Sequence, residues 1–437
     1  MNIKKMVESV KGFFNKSADE KAKETHFVQR KSKMSGSIFL QTLVFGFLDN
    51  ARSSLNDLVE FCHTHFEVDI SAQGLNERIN NYNLKFLGEM FRLALTIFRQ
   101  AIKLPLKILT QFTAVNITDS TGISLPESLS EEFPGSGGAA SSAALKIQLV
   151  MDFLTGSFKK VTLTDGITPD QKYKGHIDVA EKNSLNIFDL GYFAISYLKA
   201  LADKGAYFLC RLLTTTNLYY EDGSKVNLLS LLRSERRDRF ELVLCIGQKI
   251  MLSCRVCFFR APEEVANRRR QKAREEARKK GRNVSKNSLE LMDWTILLTN
   301  VPSCMLLLDQ VALLYSVRWQ IELIFKLWKS HMKLYIISGY RKERILVELY
   351  AKLIGLVLFQ FLTMPLWSKD INLSPTKAFK RFVKKIRVMA IAIGSLRKLK
   401  KVVDQIHSAI LRFAKREKRK SRLTTCQQLF LEADYYA

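Results

Sequence analysis

A regular cysteine framework is absent among the seven cysteines in 437 residues, which argues for a reducing compartment over a disulfide-stapled secreted domain. Acidic side chains are scarce beside basic ones, 42 against 69. The resulting charge of +27 favours a polyanionic partner, either nucleic acid or an anionic membrane. No apolar run reaches the ~20 residues that a bilayer demands. The longest, Leu353 to Trp367, is interrupted by Gln360 and Pro365 and bounded by Glu348 and Lys352, so it reads as a buried helix. Met1 to Lys33 lacks the apolar core of a signal peptide. The loop Pro134-Gly135-Ser136-Gly137-Gly138 lacks the Lys-Ser/Thr of a phosphate-binding loop, so ATP is not implied. No internal repeat is apparent. What remains is a multi-domain globular chain with 47% hydrophobic residues, expected in a prokaryotic cytoplasm, on the chromosome and without a membrane partner.

The periodicity changes along the chain. Residues 1–33 read as a frayed basic helix or arm. From Ser35 to Thr110 the apolar spacing is helical, with two short helices at Ser54–Cys62 and Ser71–Asn81. A helix-turn-helix and an ordinary helical hairpin fit these two equally. At Phe112 the pattern becomes strand-like. Ala114–Asp119 alternates and ends on an acid. Ala144–Leu154 and Ser157–Thr164 are further strands around a turn at Gly156. A polar helical stretch is expected over Ile167–Lys182. Leu185–Asp189 is another apolar strand ending on an acid, followed by a helix at Tyr192–Lys204 and a strand at Ala206–Leu213. Strands followed by alternating helix and strand predict a mixed α/β sheet. Residues 214–300 hold further strands around a polar segment with ten Lys or Arg between Arg268 and Lys286. The changes of period set the expected boundaries: a helical region at 1–110, strands alternating with helices at 111–213, further strands with the basic segment at 214–300, a helical stretch within 301–345, and basic helices at 346–437.

Between Tyr315 and Lys329, five polar residues recur at helical spacing: Tyr315, Arg318, Glu322, Lys326 and Lys329. At about 100° per residue they fall within roughly 80° of one another on a helix. One acid among three cations and a phenol suits a surface that holds a metal ion beside a phosphate backbone. Asp119 and Asp189, both after apolar strands, supply two more carboxylates. Three such groups at one sheet edge are hard oxygen ligands for Mg²⁺ or Mn²⁺. Taken singly, each has an ordinary reading. Asp119-Ser120-Thr121-Gly122 is also turn chemistry, Asp189 precedes Leu-Gly, and Glu322 can pair with Lys326 along a helix.

Taken together, the comb Tyr315-x2-Arg318-x3-Glu322-x6-Lys329, the two strand acids, and Trp294 in Trp-Thr-Ile-Leu-Leu-Thr-Asn-Val-Pro resemble the insertion-sequence-four family of DDE transposases. The resemblance covers roughly residues 112–345. Leu190 stands where that family often has Arg after the second acid. The resemblance implies an RNase H-like core interrupted by a β-rich insertion. It also implies that Asp119, Asp189 and Glu322 are the catalytic, metal-binding acids for two Mg²⁺ (Mn²⁺ as a substitute). The expected activity is cut-and-paste transposition: cleaving transposon ends in double-stranded DNA and joining them to target DNA, with a hairpin as a candidate intermediate. A homodimer in a synaptic complex is the expected working form. Tyr315, Arg318, Lys326 and Lys329 are expected to contact phosphates, and Trp294 to stack on an extruded base. Trp319 and Trp328 are expected in the core. A catalytically silent, transposase-derived DNA-binding inhibitor or repressor is the alternative from another class. A nuclease that hydrolyses without strand transfer is a third reading.

Cys254-x2-Cys257, with Cys245 nearby, lacks a second ligand pair for zinc and reads as buried strand residues. The basic tail Arg412–Arg422 and the segment Arg268–Lys286 read as non-specific phosphate contacts.

Overall fold

The computed structural model describes residues 2–30, 32–99, 102–137, 141–337, 339–417, 423–425 and 427–429. Its N-terminus is helical: α1 (Ile3–Gly12), a π-helical stretch at Phe13–Ser17, and α2 (Ala18–Glu24). This is a packed element and not a frayed arm. Met6, Val7, Val10, Phe13 and Phe14 recur at helical spacing beneath the lysines and are buried. Next come α3 (Gly36–Asp49), α4 (Leu55–Phe66), α5 (Ala72–Arg78) and α6 (Asn81–Ile97). Each has a polar cap from Ser35, Ser54, Ser71 or Asn80, and Ser54 forms a reciprocal capping box with Asp57. The two short helices expected here are α4 and α5, and they pack on each other.

The strands follow. They begin with β1 (Val115–Leu125), β2 (Ala143–Asp152) and β3 (Phe158–Asp165). Gly156 turns the chain between β2 and β3 at φ +65°, where a side chain would also strike Met364. The helical stretch expected over Ile167–Lys182 is replaced by a short 3-10 turn and the single-turn helix α7 (Gly175–Asp178). Pro169 and Gly175 break that stretch into short pieces. The chain continues through β4 (Leu185–Phe188), α8 (Ile195–Asp203), β5 (Tyr207–Arg211), β6 (Leu218–Tyr219) and α9 (Leu228–Ser234). Beyond these lie β7 (Arg239–Ile246), β8 (Leu252–Arg260), α10 (Glu263–Lys279), α11 (Lys286–Leu291) and β9 (Trp294–Thr299).

The strand order is β3-β2-β1-β4-β5-β9-β8-β7-β6. β1, β4 and β5 run parallel to their neighbours in that trio. The pairs β2/β3, β5/β9, β9/β8, β8/β7 and β7/β6 are antiparallel. The expected mixed α/β sheet is therefore present.

The remaining elements are helices: α12 (Leu308–Ser316), α13 (Trp319–Ser330), α14 (Lys342–Thr363), α15 (Pro375–Val383), α16 (Ile386–Ala392) and α17 (Leu396–Phe413). The comb is thus carried by two helices, since regular structure is interrupted at Val317 and Arg318. Neither residue is a Pro or Gly, so nothing local announces the break.

The chain divides into two compact units. The first comprises residues 1–105, 120–168 and 320–427. Within it α14 packs on α6 and α3, and α1 packs on α17. α14 is the one described helix long and apolar enough to cross a membrane, and 89% of its most apolar stretch is buried here. It carries a buried ion pair, Lys352 Nζ to Glu348 Oε1 at 2.7 Å, and Lys352 also donates to the carbonyl of Ile336. Satisfying both charges is what makes such burial tolerable. The second unit comprises residues 106–119, 169–319 and 428–437. It holds the first part of β1, Val115 to Asp119, with β4 and β5, and the antiparallel strands β6 to β9.

Candidate active site

Two of the named acids stand level with each other in the second unit. β1 and β4 pair in parallel from Val115↔Leu185 to Thr118↔Phe188; Asp119 is the next residue of β1, and Asp189 is the residue that follows β4. Three positions before each acid is a buried asparagine. Asn116 Nδ2 donates to Asn186 Oδ1 at 3.0 Å, and Asn186 Nδ2 donates to the carbonyl of Tyr207 on β5. A one-residue slip would break this buried polar link and turn the apolar residues outward, so the asparagines fix the register that aligns the acids.

The backbone differs at the two acids. β4 ends at Phe188, and Asp189 caps the following 3-10 turn by accepting the Gly191 N–H at 2.9 Å. β1, expected to stop at Asp119, continues to Leu125 because Thr121, Ile123 and Leu125 alternate inward with Gly122 and Ser124 outward. Asp119 is therefore a mid-strand residue, and the turn reading of Asp119-Ser-Thr-Gly does not hold.

A cation and a phenol sit beside the acids. Arg318 Nη1 lies 3.5 Å from Asp119 Oδ2, with the two side chains 12% and 17% exposed. Burial pushes the Tyr315 phenol up to about 12, and the charges it senses include Arg318, Arg211 and Asp189. Tyr315 therefore stays a hydrogen-bond donor throughout the physiological range. Arg211, the last residue of β5, was not singled out in the sequence. Its signal was available, because β5 is an apolar strand whose terminal residue is charged, as at Asp189. Arg211 also lowers the Arg269 guanidinium, after the larger effect of burial. Cations thus gather at the carboxyl end of β5.

Behind the second acid, the His176 ring packs against Phe188 and Tyr192, with centroids at 5.3 and 5.9 Å. These two residues flank Asp189 on either side. The imidazole is fully buried, neither ring nitrogen has a hydrogen-bond partner among the described residues, and burial drives it down to about 4.

Glu322, Lys326 and Lys329 belong to the first unit. On α13 they share a face, while Ile321, Phe325 and Trp328 are buried. Trp328 packs edge-on against Phe158 and Phe325, both at 5.5 Å, as expected of a core residue. Trp319 is not in the core. It is 58% exposed, with Arg318 5.1 Å from its ring.

Trp294 lies three residues before Leu297, which pairs with Arg211. This places it beyond the carboxyl end of β5, by about 10 Å at strand rise. The indole is only 5% exposed. Arg260 stands 4.5 Å over the ring, and Phe240 meets it edge-on at 5.8 Å. The basic segment forms α10, which is anchored by Arg269 to the carbonyls of Met292 and Trp294 and by Arg270 to Asp293. Ala266 is its only buried residue.

Among the described residues, no three His, Cys, Asp or Glu side chains stand close enough to hold one ion. The aligned pair Asp119 and Asp189 still offers the hard oxygen donors that a divalent cation prefers. Cys254 and Cys257 are buried, and burial pushes both thiols up to about 12. Protonated thiols are poor metal ligands, so these are apolar strand residues.

Comparison with known proteins shows the family. Residues 110–358 match the transposase DDE domain. The transposase of insertion sequence element IS1151 from Clostridium perfringens is 31% identical over 409 residues, covering 87% of this chain and 86% of the relative. The transposase of IS231F from Bacillus thuringiensis subsp. israelensis is 31% identical over 82% of this chain and 81% of its own length. A shorter likeness, 36% over 90 residues, links the chain to the putative transposase InsL of IS186A from Escherichia coli K12. The domain match starts ahead of β1 and ends within α14, so it takes in both aligned aspartates and the whole comb: the chain belongs to the DDE transposase family of insertion sequences.

Proposed function

We propose that this transposase cleaves the ends of its insertion element and joins them to target DNA by phosphoryl transfer, with Asp119, Asp189 and Glu322 as the catalytic acids. The observation that carries the reading is the level placement of Asp119 and Asp189 on neighbouring parallel strands, with Arg318 against the first. The comb supports assignment to the insertion-sequence-four branch. The strand order β3-β2-β1-β4-β5 supports an RNase H-like core over 111–213 and 301–345, interrupted at 214–300. Residues 1–110 would bind the element's ends, and 346–437 would form the basic helical region.

Asp119 and Asp189 would hold Mg²⁺ or Mn²⁺, with Glu322 completing the ligand set. A divalent cation bound there supplies Lewis acidity, which eases deprotonation of the attacking hydroxyl and stabilises the leaving oxygen. Arg318 would neutralise charge beside Asp119, Tyr315 would donate to a phosphate oxygen, and Lys326 and Lys329 would hold the backbone in register. Excision by cut-and-paste, in a synaptic homodimer on double-stranded DNA, is the form this reading takes. The hairpin variant assigns Trp294 to an extruded base. Burial against Phe240 and Arg260 favours a sheet-core role, so Trp294→Ala should depress nicking and hairpin formation alike; selective loss of the hairpin would favour base stacking.

The deciding experiment is nicking of a supercoiled plasmid bearing the element's ends, with Mg²⁺. Asp119→Asn and Glu322→Gln should each lower the rate by at least about 10³-fold while end binding persists, since each removes transition-state charge stabilisation. Cleavage retained by either variant would sink the assignment.

A further inference from the structure

We propose that α15 and α17 carry a second DNA-backbone surface, which holds duplex phosphates without regard to sequence. Asp404 is the only acid from Ile371 to Arg416, against thirteen Lys and Arg. Some of these cations have structural partners. Lys377 pairs with Glu417, Arg387 with Asp49, and Lys415 with Asp370. Others do not. Lys380, Lys384, Arg397, Lys398, Lys400 and Lys401 are exposed, and none has a carboxylate at ion-pair distance among the described residues.

On α17 the placement works against helix stability: Arg397 and Lys401 lie one turn apart at the N-terminal end, where like charges repel and the helix dipole disfavours cations. An arrangement that weakens the isolated helix is accounted for by an anion that joins it. Phe413 adds a second feature. It is 52% exposed, and the Arg381 and Arg412 guanidiniums stand 5.4 and 5.2 Å from its ring. Guanidiniums held on an aromatic face lose less freedom when they engage a phosphate.

A basic amphipathic helix can also serve an anionic membrane, but here the apolar faces are already used. Phe379 and Phe382 of α15, and Val402, Val403, Ile406 and Ile410 of α17, are buried within the unit. His407 further ties α17 to α14 through a 2.7 Å contact with the carbonyl of Leu362. The exposed apolar side chains nearby are Val388 and Ile391 on α16 and Leu396 and Phe413 at opposite ends of α17, not one stripe along α15 or α17; charge complementarity therefore points to a rigid polyanion, the duplex. Part of the basic tail expected to contact phosphate, residues 418–422, lies outside the described residues. Arg412, at the start of that tail, belongs to this surface.

This inference rests on the transposase reading only for the choice of DNA as probe. The full-length chain and its Arg397→Gln/Lys401→Gln variant would be titrated with a random-sequence duplex across a range of salt. The slope of log K against log salt should fall by about two for two lost phosphate contacts, and an unchanged slope overturns the proposal. So would an unchanged slope accompanied by lost binding to phosphatidylserine vesicles, which would assign the surface to a membrane. Independently of any variant, the duplex should protect Lys380, Lys384, Lys400 and Lys401 of the wild-type chain from acetylation; equal labelling with and without DNA overturns it. Plasmid nicking by the double variant at low salt should stay near wild type. Wild-type nicking that survives Asp119→Asn would remove the catalytic reading while leaving a changed slope, and hence the surface, in place.

Discussion

The end of β9 and the junction of α12 with α13 each carry a tryptophan beneath an arginine, yet the two indoles meet solvent very differently. Trp294 is 5% exposed and Trp319 is 58% exposed, although Arg260 and Arg318 stand at similar distances, 4.5 and 5.1 Å. The arginine does not make the difference. Trp294 faces the interior of an antiparallel sheet, where Phe240 takes up an edge. Trp319 follows the interruption at Val317 and Arg318, and its indole faces solvent. A cation over an aromatic ring contributes a modest attraction in either place, whereas burial is set by what the backbone packs against. The exposure of Trp319 is the reverse of the core placement that its position off the comb suggested.

The largest effect expected from this comparison is on stability. Trp294→Ala should lower the unfolding free energy by about 3–5 kcal/mol, the range for a buried aromatic, measured by denaturant titration. A loss below about 1 kcal/mol would mean that the ring is not sheet core.

A buried imidazole sharpens the contrast, because it can titrate where a buried indole cannot. His176 is held neutral, near 4, while an unfolded histidine titrates near 6.5. Its folded value is depressed, so its contribution is complete above pH 6.5 and is lost as pH falls toward 4. The loss across that window is about 3 kcal/mol. His176→Phe should flatten this part of the pH–stability curve, and an unchanged curve would show that the ring is not buried as described. Smallest of all, Trp319→Ala should leave stability within about 0.5 kcal/mol of the parent, as surface substitutions do. A drop comparable to that of Trp294→Ala would erase the distinction between the two regions.

The acid-bearing strands were legible because each is a short apolar run before a carboxylate. Their limits were less so. Ser120-Thr121-Gly122 has the composition of a turn, but the inward residues Thr121, Ile123 and Leu125 carry β1 past Asp119. Residues 1–33 show many lysines, which masked the stripe from Met6 to Phe14 that buries α1. The comb was legible as spacing, yet its division between α12 and α13 was not, for no Pro or Gly marks Val317. Arg211 closes an apolar strand and so was legible as a strand-end charge, but its place near the acids comes only from the pairing of β5 with β9 and the fold around Tyr315.

By itself the sequence determined the α/β alternation, the excess of positive charge, and which acids and cations fall at strand ends or at helical spacing, since these follow from residue type and local period. Tertiary structure alone decided that Asp119 and Asp189 stand level, that Trp294 is covered, and that Trp319 is not. Register comes from hydrogen bonds between segments some seventy residues apart, as Asn116 and Asn186 show. Burial depends on which surfaces meet, and neither quantity is encoded in any local window of the chain.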